Sequence, residues 1–504
     1  MTTIRTDADA TQGASSRTEE RFAGWHCSEP GTFRDLEPPG PPPKFSWMRP
    51  SILWSARNDT LARLLGDPTD EHRRAWVAAQ RARGVPEDFA IDRSDLGDSF
   101  SCMIAGDTGE GTHPQFAVVP GLLEIGKGTG FLVVLSDVIY PIGDVNEYVD
   151  KFYRPYSGYA APIYGIPGNH DWYDGLGGFM RHFCEAEPLE GWTLAGTGMK
   201  AGIRRRLWRA ASVVAPDTIE RCRAFRPSDA QRDPLPGPYW TIETESVRFV
   251  GIDTGIIGNL DGDQGDWLLR VSQGPKPKVL LTGKPLVVNN KRDPGLIVGR
   301  DFTVDDVVRD PANNYVAAIG GDIHNYQRYP VRVGERTIQY VVSGGGGAFM
   351  HATHTIPTVD IEGVTEDEFR CYPLRGDSLA FYSRLYSRKL AFRSRLFAIA
   401  PEQASAYMAS RMGAHPTRGG TEDPTRRTKM RGWFVGVLPS GRTFHKYISE
   451  FVEWVDPPLF KSFLRLDVSA SEIHIRCFAA TGCGAQERNP PVEDEFTIPL
   501  AGGR

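Results

Sequence analysis

Asp107, Asp137, Asn169, His170 and His324 have the types and settings that suit chemistry. They lie in the turns GDTGEG (106–111), SDVIY (136–140), GNHDWYDGL (168–176) and GGDIHNYQR (320–328), with TGKP (282–285) a fifth turn of the same kind. Singly, an aspartate after a strand is a cap or turn residue. A lone histidine is more often a hydrogen-bonded core residue than a ligand. Together, carboxylate, amide and imidazole donors suit hard or borderline divalent and trivalent metals. Gly106, Gly109, Gly168 and Gly321 let the backbone turn sharply beside these donors.

Short apolar runs must deliver these turns. CMIA (102–105), FLVVL (131–135), APIYGI (161–166), VRFVGI (247–252), KVLLT (278–282), YVAAIG (315–320) and IQYVVS (338–343) each end at a polar or glycine-rich turn. Helical patterns lie between several of them, as in DVNEYVDKFY (144–153) and DQGDWLLRV (263–271). Strands alternating with helices imply α/β layers. Open α/β sheets place ligands where strands end. The stretch 462–480 reads as a β-hairpin turning around Ser469 to Ser471.

Outside this region, residues 1–45 are polar and then proline-rich, an extended N-terminal segment. Residues 46–99 read as a helical appendage, with Thr69 capping a helix from Asp70 to about Arg83 and Gly84 ending it. The domain carrying the turns spans 100–360, with an Arg-rich insertion at about 188–237. A basic helical insertion follows at 361–430, and strands at 431–504 complete the core or pack on it. The amphipathic stretch 379–399 reads as a surface helix, or alternatively as a peripheral membrane or partner contact.

The 504 residues carry a net charge of −5, so a global basic field for nucleic acid is absent. Seven cysteines without a CxxC pair give no expectation of a disulfide framework or a cysteine-based zinc site. The polar first twenty residues contain no apolar signal segment, and the expectation is a cytoplasmic protein without a transmembrane span.

The motifs GDTG, SDVIY, GNHD, TGKP and GDIH resemble those of the calcineurin-like metallophosphoesterases, more closely the purple-acid-phosphatase-like branch. GIDTGIIGNLDGDQGDWL at 251–268 is similar to that family as well, and the resemblance spans about 100–355. It implies two mixed β-sheets packed as a sandwich flanked by helices, with N- and C-terminal extensions. It also implies two metal ions, drawn from Fe, Mn, Mg or Zn. Asp107, Tyr140 and His324 would hold the first metal, Asp137 would bridge, and Asn169 would hold the second. His170 would stand beside the scissile bond without binding metal, oriented by Asp171. In the family a metal-bridging hydroxide attacks a phosphate monoester or diester in line. Two cations roughly 3.5–4 Å apart need a shared anion between them.

Two departures stand out. Gly283 replaces the usual histidine of the fourth motif, and Asp322 replaces the first histidine of the last. The second site would then recruit Asp322 and become weaker and richer in oxygen, favouring Mn²⁺, Mg²⁺ or Fe²⁺ over Zn²⁺. His351 and His354, in SGGGGAFMHATH, would replace a missing ligand, touch substrate, or only pack. Arg328 would bind phosphate bidentately or pair with a carboxylate. The rival to an enzyme is a degenerate member serving as a metal- or phosphate-binding scaffold. A nuclease would need a basic groove, for which RRRLWR at 204–209 is the local candidate.

Overall fold

β-Branched and aromatic runs that stop at glycine or aspartate become the strands of this protein. The computed structural model describes residues 25–38, 47–389, 396–412, 423–437, 445, 448–452, 454 and 456–500. In chain order the strands are β1 (Ala90–Asp92), β2 (Phe100–Gly106), β3 (Phe131–Leu135), β4 (Ile163–Ile166), β5 (Trp240–Glu243), β6 (Arg248–Ile252), β7 (Lys278–Thr282) and β8 (Val287–Val288). They continue as β9 (Lys291–Arg292), β10 (Tyr315–Gly320), β11 (Tyr326–Val333), β12 (Arg336–Ser343), β13 (Arg370–Tyr372), β14 (Lys461–Val468), β15 (Glu472–Ala480) and β16 (Val492–Pro499).

An eight-stranded sheet is ordered β1-β5-β6-β7-β10-β12-β11-β13, and a six-stranded sheet β16-β15-β14-β2-β3-β4. Both are mixed. β6, β7, β10 and β12 are parallel neighbours in the first, and β2, β3 and β4 in the second. The all-apolar β3 is buried at every position, as a parallel strand covered on both faces must be. β15 instead alternates, with Ile473, Ile475 and Cys477 inside and His474 and Arg476 half-buried. β14 and β15 form the expected hairpin, closed by the Ser469 hydroxyl accepting from the Glu472 N–H at 3.1 Å. The hairpin then adds onto β2.

The two sheets pack face to face. Phe249 of β6 meets Phe131 of β3 with ring centroids 5.6 Å apart. Trp240 of β5 crosses the layer and donates its indole N–H to the Gly165 carbonyl of β4 at 2.9 Å, so its burial leaves no unpaired donor. The fold is therefore α/β, two mixed sheets in a sandwich flanked by helices.

Several local expectations are corrected. Thr69 is the first helical residue of Thr69–Ala82 rather than its cap, and Asp67 Oδ1 accepts the Thr69 N–H at 3.0 Å. Part of 144–153 forms a π turn, Val149–Tyr153, in which the Arg154 N–H reaches the Val149 carbonyl at 2.9 Å. The basic helix runs Arg375–Lys389, and 390–395 lie outside the described residues. Leu379, Tyr382, Leu385 and Tyr386 are buried, Arg384 lies over Trp25 at 4.2 Å, and Arg388 pairs with Asp456 at 2.6 Å. It is a packed helix of the body. Cys27 and Cys483 form a disulfide across 456 residues, which the cysteine pattern did not suggest. Disulfides are rare in reducing compartments, so this bridge lends no support to the expected cytoplasmic location. No helix among the described residues is long and apolar enough to cross a membrane.

The helix Thr69–Ala82 is bound into the core by one buried ionic hub. Arg73 donates from Nε to Asp253 at 2.7 Å and from Nη1 to Asp261 at 2.6 Å, with its guanidinium 5.5 Å from the Trp172 ring centre. Asp253 follows β6 and also accepts the Trp172 indole N–H at 2.9 Å. Burial works against the Arg73 cation, but Asp253 and Asp261 outweigh it and hold its pKa above the usual arginine range. Arg73→Ala would strand two buried carboxylates and is expected to lower stability by about 3–5 kcal/mol. Urea unfolding of the two proteins measures this, and a loss under about 1 kcal/mol would show that the carboxylates are solvated without arginine.

Candidate metal centre

Each motif leaves the C-terminal end of a parallel strand. Asp107 follows β2, Asp137 follows β3, Asn169 and His170 follow β4, and Asp322 and His324 follow β10. Strands of like direction in two packed sheets bring these ends to one rim of the sandwich. The turns are tight enough to hold three aspartates in the left-handed region, with φ of 56° at Asp107, 37° at Asp137 and 65° at Asp322. Non-glycine residues there carry strain, of order 1–3 kcal/mol each. Two glycines permit close approach to the donors, since a Cβ at Gly168 would stand 2.1 Å from Asp137 Oδ1 and one at Gly344 2.6 Å from Asp107 Oδ2.

Asp107, Asp137 and His324 present donor atoms all within 4.8 Å of one another. The Tyr140 hydroxyl stands among them, 3.0 Å from Asp137 Oδ2, 3.0 Å from His324 Nε2 and 3.3 Å from Asp107 Oδ1. His324 Nδ1 lies 2.8 Å from the Phe349 carbonyl, so it donates there and leaves the Nε2 lone pair facing the carboxylates. Burial pushes the His324 pKa well below the usual value, which keeps the imidazole in its ligating form. Burial, then Asp137 and Asp322, push the Asp107 carboxyl well above the usual range. Burial raises Asp137 too, against the favourable pull of His170. Asp107 Oδ2 is buried without a hydrogen-bond partner. This donor set, crowded with carboxylates, fits a hard or borderline cation.

The second half of the expected centre is built differently. Asn169 donates Nδ2–H to the Tyr173 hydroxyl at 2.7 Å, leaving its amide oxygen as the end able to ligate. Asp322 stands outside the close donor group, and its Oδ1 lies 3.3 Å from Lys284 Nζ. Burial opposes the Lys284 cation, but Asp322 and Asp137 outweigh it and raise its pKa. Gly283 does not need a left-handed φ, yet a Cβ there would meet Thr254 Oγ1 at 2.9 Å and the Pro167 carbonyl oxygen at 3.0 Å. A histidine would crowd this loop.

His170 lies beside the donors. Its Nδ1 donates to the Pro141 carbonyl at 2.8 Å, and its backbone N–H donates to Asp137 Oδ1 at 2.8 Å. Asp171 does not orient it. The Asp171 carboxylate accepts the backbone N–H groups of Val138 and Gly168 at 3.0 Å and of Ile139 at 3.3 Å, pinning the second turn to the third. Burial, then Asp137, push that carboxyl up to about 8. His351 stacks on His324 with ring centroids 4.3 Å apart, accepts the His324 N–H at 3.1 Å and lies 3.1 Å from Glu450. His354 is elsewhere, against Ser378 and His445. Arg328 is a structural residue, paired with Asp494 at 2.6 Å and lying 4.5 Å from the Phe496 ring centre.

Asp137, Asn169, His170, Lys284, Asp322 and His324 share one cavity of about 430 Å³. Two other cavities, of about 270 and 370 Å³, contain none of these residues. Charged wall residues escaped the sequence reading, Asp59, Arg63, Lys284 and Glu450 among them. Arg63 comes from the helix Arg57–Leu65, Glu450 from the far end of the chain, and Lys284 from a motif read only for its missing histidine. The pairing of Arg63 with Asp59 at 3.0 Å is an ordinary i,i+4 helix pattern that signals no site.

Asp171 provides a test of this geometry. Asp171→Ala would leave buried N–H groups unpaired at about 1–3 kcal/mol each. It is expected to weaken metal retention by about 10–100-fold, as loss of an outer support does. Equilibrium dialysis against metal measures it. Full metal retention with lost turnover would instead assign Asp171 to His170.

No protein-family model matches the chain, and no curated protein matches it. Among solved structures it is similar to the purple acid phosphatase PPD1 from yellow lupin seeds, with 11% identity and a TM-score of 0.36. That likeness covers 80% of this chain and 54% of the lupin protein, so the chain spans about half the length of that neighbour. It is also similar to PhoD, with 11% identity and a TM-score of 0.34 over 80% of this chain and 71% of that one. GAP50, the anchor in the inner membrane complex of Plasmodium, gives 11% and 0.32 over 54% and 80%. These likenesses are distant, and the chemistry of the centre rests on its own residues. The chain resembles the calcineurin-like metallophosphoesterases in its motifs, and a purple acid phosphatase and PhoD are among its structural neighbours.

Proposed function

We propose that this protein is a metal-dependent phosphoesterase acting on a phosphomonoester or phosphodiester. The observation that carries this reading is the shared cavity, where Asp137 and His324 of the donor cluster and His170, which is not part of it, face the same space. Asp107, Asp137, Tyr140 and His324 would hold the cation. A cation held there supplies Lewis-acid polarisation of a phosphoryl oxygen and an activated water.

The protein's own residues supply the rest. His170 has its Nδ1 bound to the Pro141 carbonyl, so its Nε2 is the end available to exchange a proton with the leaving oxygen. Lys284 and Arg63 bring positive charge to the walls, where a phosphate would lie. Asp171 keeps the turn bearing Asp137 in register with the turn bearing His170. A nuclease gains no support from 204–209. Arg204 donates to the Gly66 carbonyl at 3.0 Å and Arg205 to the Leu194 carbonyl at 3.3 Å. The scaffold alternative draws on the Lys284–Asp322 pair and predicts metal binding without turnover.

Activity on an aryl phosphate and an aryl phosphodiester is expected to disappear on chelation and in Asp137→Asn. Undiminished turnover by the fully stripped protein would remove the proposal. His170→Ala is expected to keep its metal and to lose about 10²–10⁴-fold in kcat with a poor leaving group. The loss should be smaller with an activated aryl leaving group, which needs little protonation. Equal losses with both substrates would show that His170 does not act on the leaving oxygen.

A further inference from the structure

The second half of the centre holds a cation of its own. Thr282 of β7 and Gly320 of β10 are register partners on adjacent parallel strands. Lys284 and Asp322 each lie two residues beyond those partners, so the sheet itself sets them side by side, with Nζ 3.3 Å from Oδ1. The ammonium faces the same cavity as Asp137 and Asn169, and Asp137 contributes to the field that stabilises it. No donor can come from Gly283, and a side chain placed there would meet the Pro167 carbonyl oxygen.

We infer that the Lys284 ammonium occupies the place and supplies the charge of the second metal ion, so that the centre is mononuclear. This inference rests on the phosphoesterase reading for its catalytic meaning, though not for its metal count. Where the pattern that the motifs resemble carries two imidazoles, this chain has Gly283 and Asp322, and Asp322 pairs with the Lys284 ammonium. A second cation there would face the ammonium at short range in a partly dehydrated cavity, where like charges repel strongly. An ammonium also does what a metal does only in part. It neutralises a phosphate oxygen and donates hydrogen bonds to it, but it does not activate water. Water activation then falls to the cation among Asp107, Asp137, Tyr140 and His324.

The test is metal stoichiometry and magnetic coupling, measured beside turnover. Wild-type protein saturated with Mn²⁺ and freed of excess is expected to hold one equivalent per chain, with the electron paramagnetic resonance of an uncoupled ion. Lys284→Arg, which keeps the charge, should also hold one. Lys284→Gln should take up a second equivalent with affinity raised by about tenfold or more. Two equivalents in the wild type, or a spin-coupled pair, overturn the inference, and the wild-type measurement needs no variant to fold. A folded Lys284→Gln that still stops at one equivalent overturns it as well. Turnover with two equivalents would leave the phosphoesterase reading standing. One uncoupled equivalent without turnover on either aryl ester would do the reverse. A chain that binds no metal overturns both.

Discussion

Asp107 and Asp137 are buried within reach of the same point, and their mutual repulsion is the constraint to which the centre answers. A protein interior does not hold two adjacent carboxylates as anions unless positive charge is brought to them. Here it can come from a cation among the donors and from Lys284 at the rim. The tyrosine hydroxyl and the neutral imidazole complete the donors without adding positive charge of their own.

Holding such groups together against repulsion requires rigid support, and both sheets contribute it. Asp107 and Asp137 hang from the six-stranded sheet, while Asp322 and His324 hang from the eight-stranded one. The two halves of the donor set also touch directly, the Asp322 N–H donating to Asp107 Oδ1 at 3.2 Å and the Tyr140 hydroxyl lying 3.0 Å from His324 Nε2. The left-handed aspartates are the local counterpart. Their strained turns aim carboxylates away from the strand direction, and they persist because the surrounding layers leave no room to relax.

Much of this was legible in the sequence, for reasons that can be named. Apolar runs that stop at a turn of small and polar residues encode buried parallel strands and the rim where they stop, so β2, β3, β4, β7 and β10 were readable. The donor types at those rims gave the chemistry. What failed depended on contacts between distant or sideways-facing residues. Asp171 adjoins His170 in sequence, yet its carboxylate turns back to the Val138 and Gly168 amides. The sequence left Arg328 and His354 with alternative readings, and it is the distant Asp494 and His445 that give each its packed, paired place. Lys284 became meaningful only once the register of β7 on β10 set it beside Asp322. The Cys27–Cys483 bridge joins residues too far apart for any spacing rule.

The hairpin β14–β15 has a temporal meaning as well as a spatial one. β2, whose end carries Asp107, pairs with β3 on one side and with β14 on the other. On a ribosome, β2 and β3 emerge more than three hundred residues before β14 is made. For that interval the strand that bears Asp107 is an open edge, with bare amides and carbonyls on a hydrophobic ribbon. Until the hairpin arrives, that edge is open to pairing with other chains. The centre is thus finished last, when the final strands close the sheet around its oldest part.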